Sequence, residues 1–146
     1  MSVRTAKQDG KRFELQVYHQ LIKQYPKPQY EIEKDVHLKE VGITVDYLIK
    51  NENGIVLAVE AKGGDHPTRK DGGAKRTDNV KKAVASGALY KGMYPSSTFV
   101  AYFSFPPNEN SDSKTSISVA LNKKYFDDVV YILPEPENNI EIFLNG

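Results

Sequence analysis

Asp46 lies inside an apolar stretch at residues 43–50, and Glu60, Ala61 and Lys62 close the apolar run Ile55, Val56, Leu57, Ala58, Val59. Charged side chains at the inner end of a buried strand are costly unless a partner or a metal ion compensates them. Two carboxylates and the Ala61 backbone carbonyl are hard oxygen donors, which suit magnesium or manganese and leave room for water and a phosphate oxygen. The ammonium of Lys62 beside them would orient and acidify an attacking water, so the set fits phosphodiester hydrolysis. The plain alternative is an ordinary salt-bridge network at a strand end.

That chemistry needs both carboxylates on one face. Residues 43–50 and 55–62 read as two strands joined by Asn51, Glu52, Asn53 and Gly54, a strong hairpin signal. A three-residue loop, Glu52, Asn53 and left-handed Gly54, pairs Asn51 with Ile55 and sets Asp46 opposite Glu60. One face then carries Ile43, Val45, Tyr47 and Ile49 against Ile55, Leu57, Val59 and Ala61, and the other carries Thr44, Asp46, Glu60 and Lys62. A loop one residue shorter or longer would put the two carboxylates on opposite faces.

Around the hairpin, Phe13, Val17, Leu21 and Tyr25 follow helical spacing, with a start at Asp9 or Gly10 and an end before Pro26 and Pro28. Tyr30, Ile32, Val36 and Leu38 predict a first strand. Residues 63–76, rich in glycine, read as a loop. Thr77 or Asp78 is expected to cap a helix through Val80, Ala83, Val84, Ala88 and Leu89 to about Lys91. Residues 98–105 read as a strand, 108–114 as a polar loop, and 117–121 as a strand. Asn122 is expected to cap a helical turn before the apolar run 129–133, with a turn at 134–139 and an edge strand at 140–144.

At 146 residues the chain has the length of one domain, able to bury a core unaided. It has no cysteine, so neither a disulfide framework nor a thiolate site is available. No stretch reads as a signal peptide or a membrane span, and a soluble protein in a cytoplasmic setting is expected. The net charge is only +1, but it is unevenly placed. Between Lys62 and Lys91 eight basic residues face three acids, whereas from Tyr125 onward there are five acids and no Lys or Arg. Such asymmetry suits a polyanion at one end of the molecule. His66, Arg69, Lys70, Lys75 and Arg76, just past Lys62, and Lys81 and Lys82 in the following helix, are the candidates for phosphate contacts. Singly, each reads equally as a solvated residue. His19, His37 and His66 lack zinc-site spacing, and the glycines at 63, 64, 72 and 73 do not complete a nucleotide-binding loop.

Asp46 followed by Glu60, Ala61 and Lys62, after a helix carrying Gly10, Phe13 and Glu14, resembles the PD-(D/E)xK nuclease superfamily over about the first two thirds of the chain. Val45 stands where the family name implies proline. The resemblance implies an α/β fold with a restriction endonuclease-like core, a central mixed sheet flanked by helices. It implies that Asp46, Glu60 and the Ala61 carbonyl bind Mg2+, with Mn2+ able to substitute. Lys62 would handle the attacking water, and Glu14 would assist at the metal through water. The expected activity is a DNA endonuclease of restriction or homing type, leaving 5′-phosphate and 3′-hydroxyl ends. A Holliday-junction resolvase, or a nucleic-acid-binding module without turnover on the same scaffold, is the alternative. Cutting both strands with one site per chain implies a homodimer, and the relatives point to a bacterial, phage or archaeal origin.

Overall fold

A computed structural model describes residues 6–63 and 72–133 of the chain. The first helix, α1 (Ala6–Gln24), starts earlier than Asp9 and ends ahead of Pro26. Three antiparallel strands follow, β1 (Glu31–Leu38), β2 (Ile43–Asn51) and β3 (Gly54–Lys62), then helix α2 (Thr77–Met93) and strand β4 (Thr98–Phe103). Helix α3 (Asp112–Asn122) leads to strand β5 (Asp128–Tyr131). Among the described residues these strands form a five-stranded mixed sheet in chain order, antiparallel from β1 to β3 and parallel from β3 to β5. Parallel neighbours cannot be joined by a tight turn, so α2 and α3 serve as the two crossovers.

Both faces of the sheet are covered, which accounts for the nearly continuous apolar runs in β3 and β4. On one face Phe13, Val17 and Leu21 of α1 pack on Tyr47, Ile49, Leu57, Val59 and Tyr102. On the other, Val80, Ala83 and Tyr90 of α2 and Ile117 and Ala120 of α3 pack on Leu48, Ala58, Phe99 and Phe103. No helix among the described residues is long and apolar enough to cross a membrane.

Several expectations are corrected. The β2–β3 connection is tighter than a three-residue loop: Asn51 pairs with Gly54 and Lys50 with Ile55. Asn51 Oδ1 accepts the Asn53 N–H at 2.8 Å inside that turn. The register then shifts between Lys50 and Ile49, where Ile49 pairs with Leu57 and leaves Val56 as the extra residue of a bulge. Beyond the bulge the pairing is the one the longer loop would have produced, down to Tyr47 opposite Val59.

The uniform apolar face is corrected as well. Tyr47 and Ile49 face α1, whereas Ile43 and Val45 join the cluster under α2 and α3. Alternation breaks at Asp46. Lys34 pairs with Tyr47 and Val36 with Val45, but the rung between Asp35 and Asp46 is missing, and Asp35 takes a φ of +50°. A left-handed residue inside a strand turns the chain over locally.

Residues 117–121 form part of α3 instead of a strand, and Asn122 ends that helix instead of starting a turn. Ser111 caps it by accepting the Lys114 N–H, and its buried residues Ser113, Ile117 and Ala120 keep helical spacing. Arg76, not Thr77 or Asp78, is the N-cap of α2, without a side-chain cap bond. Within the expected 63–76 loop, Gly73–Lys75 form a 3-10 turn. The turn at 134–139 and the strand at 140–144 lie outside the described residues.

Candidate metal centre

The site forms where β2 and β3 part company. Past Tyr47 and Val59 the backbone ladder stops, and the Asp46 side chain takes over: its Oδ2 accepts the Ala61 N–H at 2.7 Å. On its other edge β3 stays paired to β4, with Ser104 donating its N–H to the Lys62 carbonyl at 3.3 Å. Successive residues of a strand direct their backbone groups to opposite sides, so the Ala61 carbonyl shares the side of its N–H, toward Asp46.

Glu60 is buried, only 5 % exposed, beneath this junction. Asp46, Lys62 and Ser86 of α2 all lie close enough to act on its carboxyl group. Burial, reinforced by the negative charge of Asp46, pushes Glu60 up to about 8, against the opposing pull of Lys62 and Ser86.

Glu14 reaches the site from α1. The preceding residue, Phe13, is buried and lies so close to the end of β3 that a Cβ on Gly63 would stand 2.4 Å from the Phe13 Cβ. Tyr47 donates its phenol O–H to the Glu14 carbonyl at 2.6 Å, which fixes the height of the helix over β2. Burial, then Asp46, pushes the Glu14 carboxyl up to about 7, and Lys11 at 3.9 Å opposes that rise. The same burial, with the charges of Glu14 and Asp46, pushes the Tyr47 phenol up.

The chain therefore brings Glu14, Asp46, Glu60, Ala61 and Lys62 to one place, and it adds two residues that sequence reasoning missed. Asp35, at the missing rung, completes a group with Glu14 and Asp46 in which each offers a carboxylate oxygen within 4.8 Å of the others. These three could hold a metal ion. A β1–β2 hairpin paired Leu38 to Ile43 sets Asp35 across from Asp46, but that register was legible only once the turn between the strands was placed. Ser86 carried no signal: a small polar residue in a helix is ordinary.

Of the basic candidates, Lys75 is half-buried with its ammonium 5.8 Å from the centre of the Phe105 ring, and Arg76, Lys81 and Lys82 are exposed. His66, Arg69 and Lys70 lie outside the described residues. A surface cleft of about 450 Å³ lined by Pro28, Tyr30, Glu31, Lys50 and Asn51 sits at the far end of the β1–β2 pair. It holds none of the clustered acids. Neither family models nor curated proteins give a match to this chain.

Every side-chain donor in the group is a carboxylate, and the backbone contributes a carbonyl. Such a set fits a hard divalent cation and offers nothing to a soft one. Several acids crowded into a partly buried site repel one another, and a cation is the partner that would relieve them.

Proposed function

We propose that the chain is a divalent-metal-dependent DNA endonuclease of the PD-(D/E)xK superfamily, with a restriction endonuclease-like core. One observation carries the reading: Asp46 bridges the end of β3 through Ala61 while its carboxylate gathers with those of Glu14 and Asp35, and Glu60 and Lys62 are close enough for their charges to interact. In this reading Asp46, Glu60 and the Ala61 carbonyl hold Mg2+, with Mn2+ as a substitute, and Glu14 assists from α1. The cation, when bound, draws charge from the scissile phosphate and lowers the pKa of water in the site.

The chain's own groups do the rest. Lys62 Nζ, at the rim of the buried acids, orients the attacking water and balances the charge developing on the phosphate. Glu14, only half-buried, can hold a proton near neutral pH because of its raised affinity. Attack by water at phosphorus with departure of the 3′ oxygen leaves a 5′-phosphate and a 3′-hydroxyl. Lys75, Arg76, Lys81 and Lys82, after the site strand and at the start of α2, meet the DNA backbone, and cleavage of both strands calls for two copies of the chain.

The test is nicking of supercoiled plasmid in Mg2+ by the wild-type chain, Lys62→Ala and Asp46→Asn. Loss of cutting in both variants, with DNA binding retained, supports the reading. Equal cutting by all three, or no cutting by wild type in Mg2+ or Mn2+, rejects it.

A further inference from the structure

A cleft of about 380 Å³ opens between the last turns of α1 and the start of β1, lined by Tyr18, Ile22, Tyr25, Lys27, Tyr30 and Glu31. It shares Tyr30 and Glu31 with the larger cleft at the end of the β1–β2 pair. Tyr25 and Tyr30 form its corner, with ring centres 5.2 Å apart and planes at 80°. A flat ring laid on one tyrosine therefore meets the edge of the other, and both are contacts that aromatic groups favour. The three tyrosines are half-buried and Ile22 is 38 % exposed, so the apolar wall is open to solvent. Charge at the rim favours an anion: exposed Lys27 and Lys34 stand against Glu31, while Lys50 and Glu33 cancel in an ion pair at 2.9 Å. The Lys34 ammonium lies 4.1 Å from the centre of the Tyr18 ring, which keeps it beside the cleft.

A ligand that carries flat aromatic groups on an anionic chain matches both features. Nucleic acid is such a ligand, but only unpaired bases can use the corner, because in a duplex each base has its faces covered by its neighbours. We infer that this cleft binds single-stranded DNA, with an unpaired base in the Tyr25–Tyr30 corner and the flanking phosphates on Lys27 and Lys34. The acid cluster lies along the same helix. Tyr18 stacks on Tyr47 with ring centres 5.7 Å apart, and Tyr47 donates to the Glu14 carbonyl. Glu14, Tyr18 and Ile22 follow one another at one-turn intervals along α1, about 12 Å in all, which is a few nucleotides of strand. A strand held in the cleft is thereby led toward the carboxylates, so the substrate is DNA with a single-stranded arm. That last step rests on the nuclease reading above, whereas the binding of the strand rests on the cleft alone.

The experiment is fluorescence anisotropy of the full chain in EDTA, where no metal is held and nothing is cut, with labelled oligo(dT) of about 12 nucleotides and a blunt duplex of the same length as probes. Tyr30→Ala is expected to weaken oligo(dT) binding by about 5-fold or more, and Tyr30→Phe, which keeps the ring, should stay within about 2-fold of wild type. Binding of the duplex should not change in either. Lys27→Ala, an exposed change that leaves the core alone, should lower the slope of log affinity against log salt for oligo(dT) by about 0.7, and it keeps the test decisive if alanine at 30 harms folding. Absence of oligo(dT) binding in wild type, or equal weakening of both probes by Tyr30→Ala, overturns the inference. So does a Lys27→Ala chain with wild-type affinity and salt slope. Failure of plasmid nicking alongside oligo(dT) binding that depends on Tyr30 and Lys27 sinks the nuclease reading and leaves the strand-binding cleft standing. Intact nicking with oligo(dT) binding indifferent to both residues does the reverse.

Discussion

The Asp46 carboxylate replaces a strand rung: its Oδ2 accepts the Ala61 N–H at 2.7 Å at the point where β2 and β3 stop pairing through their backbones. One side chain therefore has two tasks, closing the sheet and supplying charge. Asp46→Asn separates them, because the amide oxygen can still accept from Ala61 while the charge is gone. Stability should change by no more than about 1 kcal/mol in urea denaturation. Mn2+ binding and Mg2+-dependent plasmid cutting should both be lost. Retained metal binding in a well-folded Asp46→Asn would remove Asp46 from the site.

Gly63 is where α1 and β3 come closest. A Cβ there would stand 2.4 Å from the Cβ and 2.5 Å from the Cγ of Phe13, a side chain that is 2 % exposed and has nowhere to go. Gly63→Ala should cost about 1–3 kcal/mol of stability as an overpacked site. It should also push α1 outward and carry Glu14 away from Asp46, so activity should fall more than the loss of folded protein explains. A Gly63→Ala chain as stable and active as wild type would mean that Phe13 does not hold the helix in place.

How far the site was legible can be seen from the hairpin. The expected loop length was wrong, yet Asp46 still falls beside Glu60, because the bulge at Val56 restores the offset that the shorter turn removes. The turn and the bulge together set the ladder as far as Tyr47 and Val59, and Asp46, just past that last rung, joins β3 through its side chain. Asp35 was not legible, since its contribution depends on a left-handed φ and a missing rung, neither of which leaves a mark on hydrophobic patterning. Helix α3 was misread for a different reason. Ile117, Val119 and Leu121 alternate as a strand would, but Val119 and Leu121 are 49 % and 36 % exposed. The buried stripe is made by Ser113, Ile117 and Ala120, two of which are too small or too polar to register as core.

The cap of that helix can be tested directly. Ser111 Oγ accepts the Lys114 N–H at 3.2 Å and donates to the Asn108 carbonyl at 2.6 Å. Ser111→Ala should cost about 1 kcal/mol, and Ser111→Asp, which keeps an acceptor at the N-terminus, should cost much less. Because α3 lies away from the acid cluster, cutting per folded molecule should not change in either variant. A drop in activity without a drop in stability would connect α3 to the site in a way its contacts do not.

Lys81 and Lys82 are exposed in the first turns of α2, the helix that carries Ser86 one turn beyond Lys82. If they meet DNA phosphates, replacing either by alanine should weaken binding about equally for all sequences and lower the slope of log affinity against log salt by about 1. The double variant should lower it by about 2, with Mn2+ affinity unchanged. Salt slopes identical to wild type would place the DNA elsewhere on the molecule.

The raised proton affinities of Glu14 and Glu60 make the metal-free protein sensitive to alkali in a defined window. Burial and then the charge of Asp46 push Glu60 up to about 8 and Glu14 up to about 7, while in the unfolded chain both titrate near the ordinary value of about 4.3. Between those limits the folded state binds more protons than the unfolded one, so unfolding free energy falls as pH rises. The contribution is complete below the unfolded pKa and is lost as pH climbs through 7 to 8. Groups facing these two carboxyls include Asp35, Asp46, Lys11, Lys62 and Ser86, and the comparison must therefore isolate one acid at a time. Glu60→Gln keeps the shape and removes the titration. In EDTA at constant ionic strength, wild-type Tm should decline from pH 5.5 to 8.5 more steeply than that of Glu60→Gln, which should be the more stable of the two at pH 8.5. Adding Mg2+ should raise the wild-type Tm more at pH 8.5 than at pH 5.5, because a cation and a proton compete for the same oxygens. Parallel pH profiles for the two proteins would show that Glu60 is not held against ionisation, and the case for a cation at its side would lose its electrostatic basis.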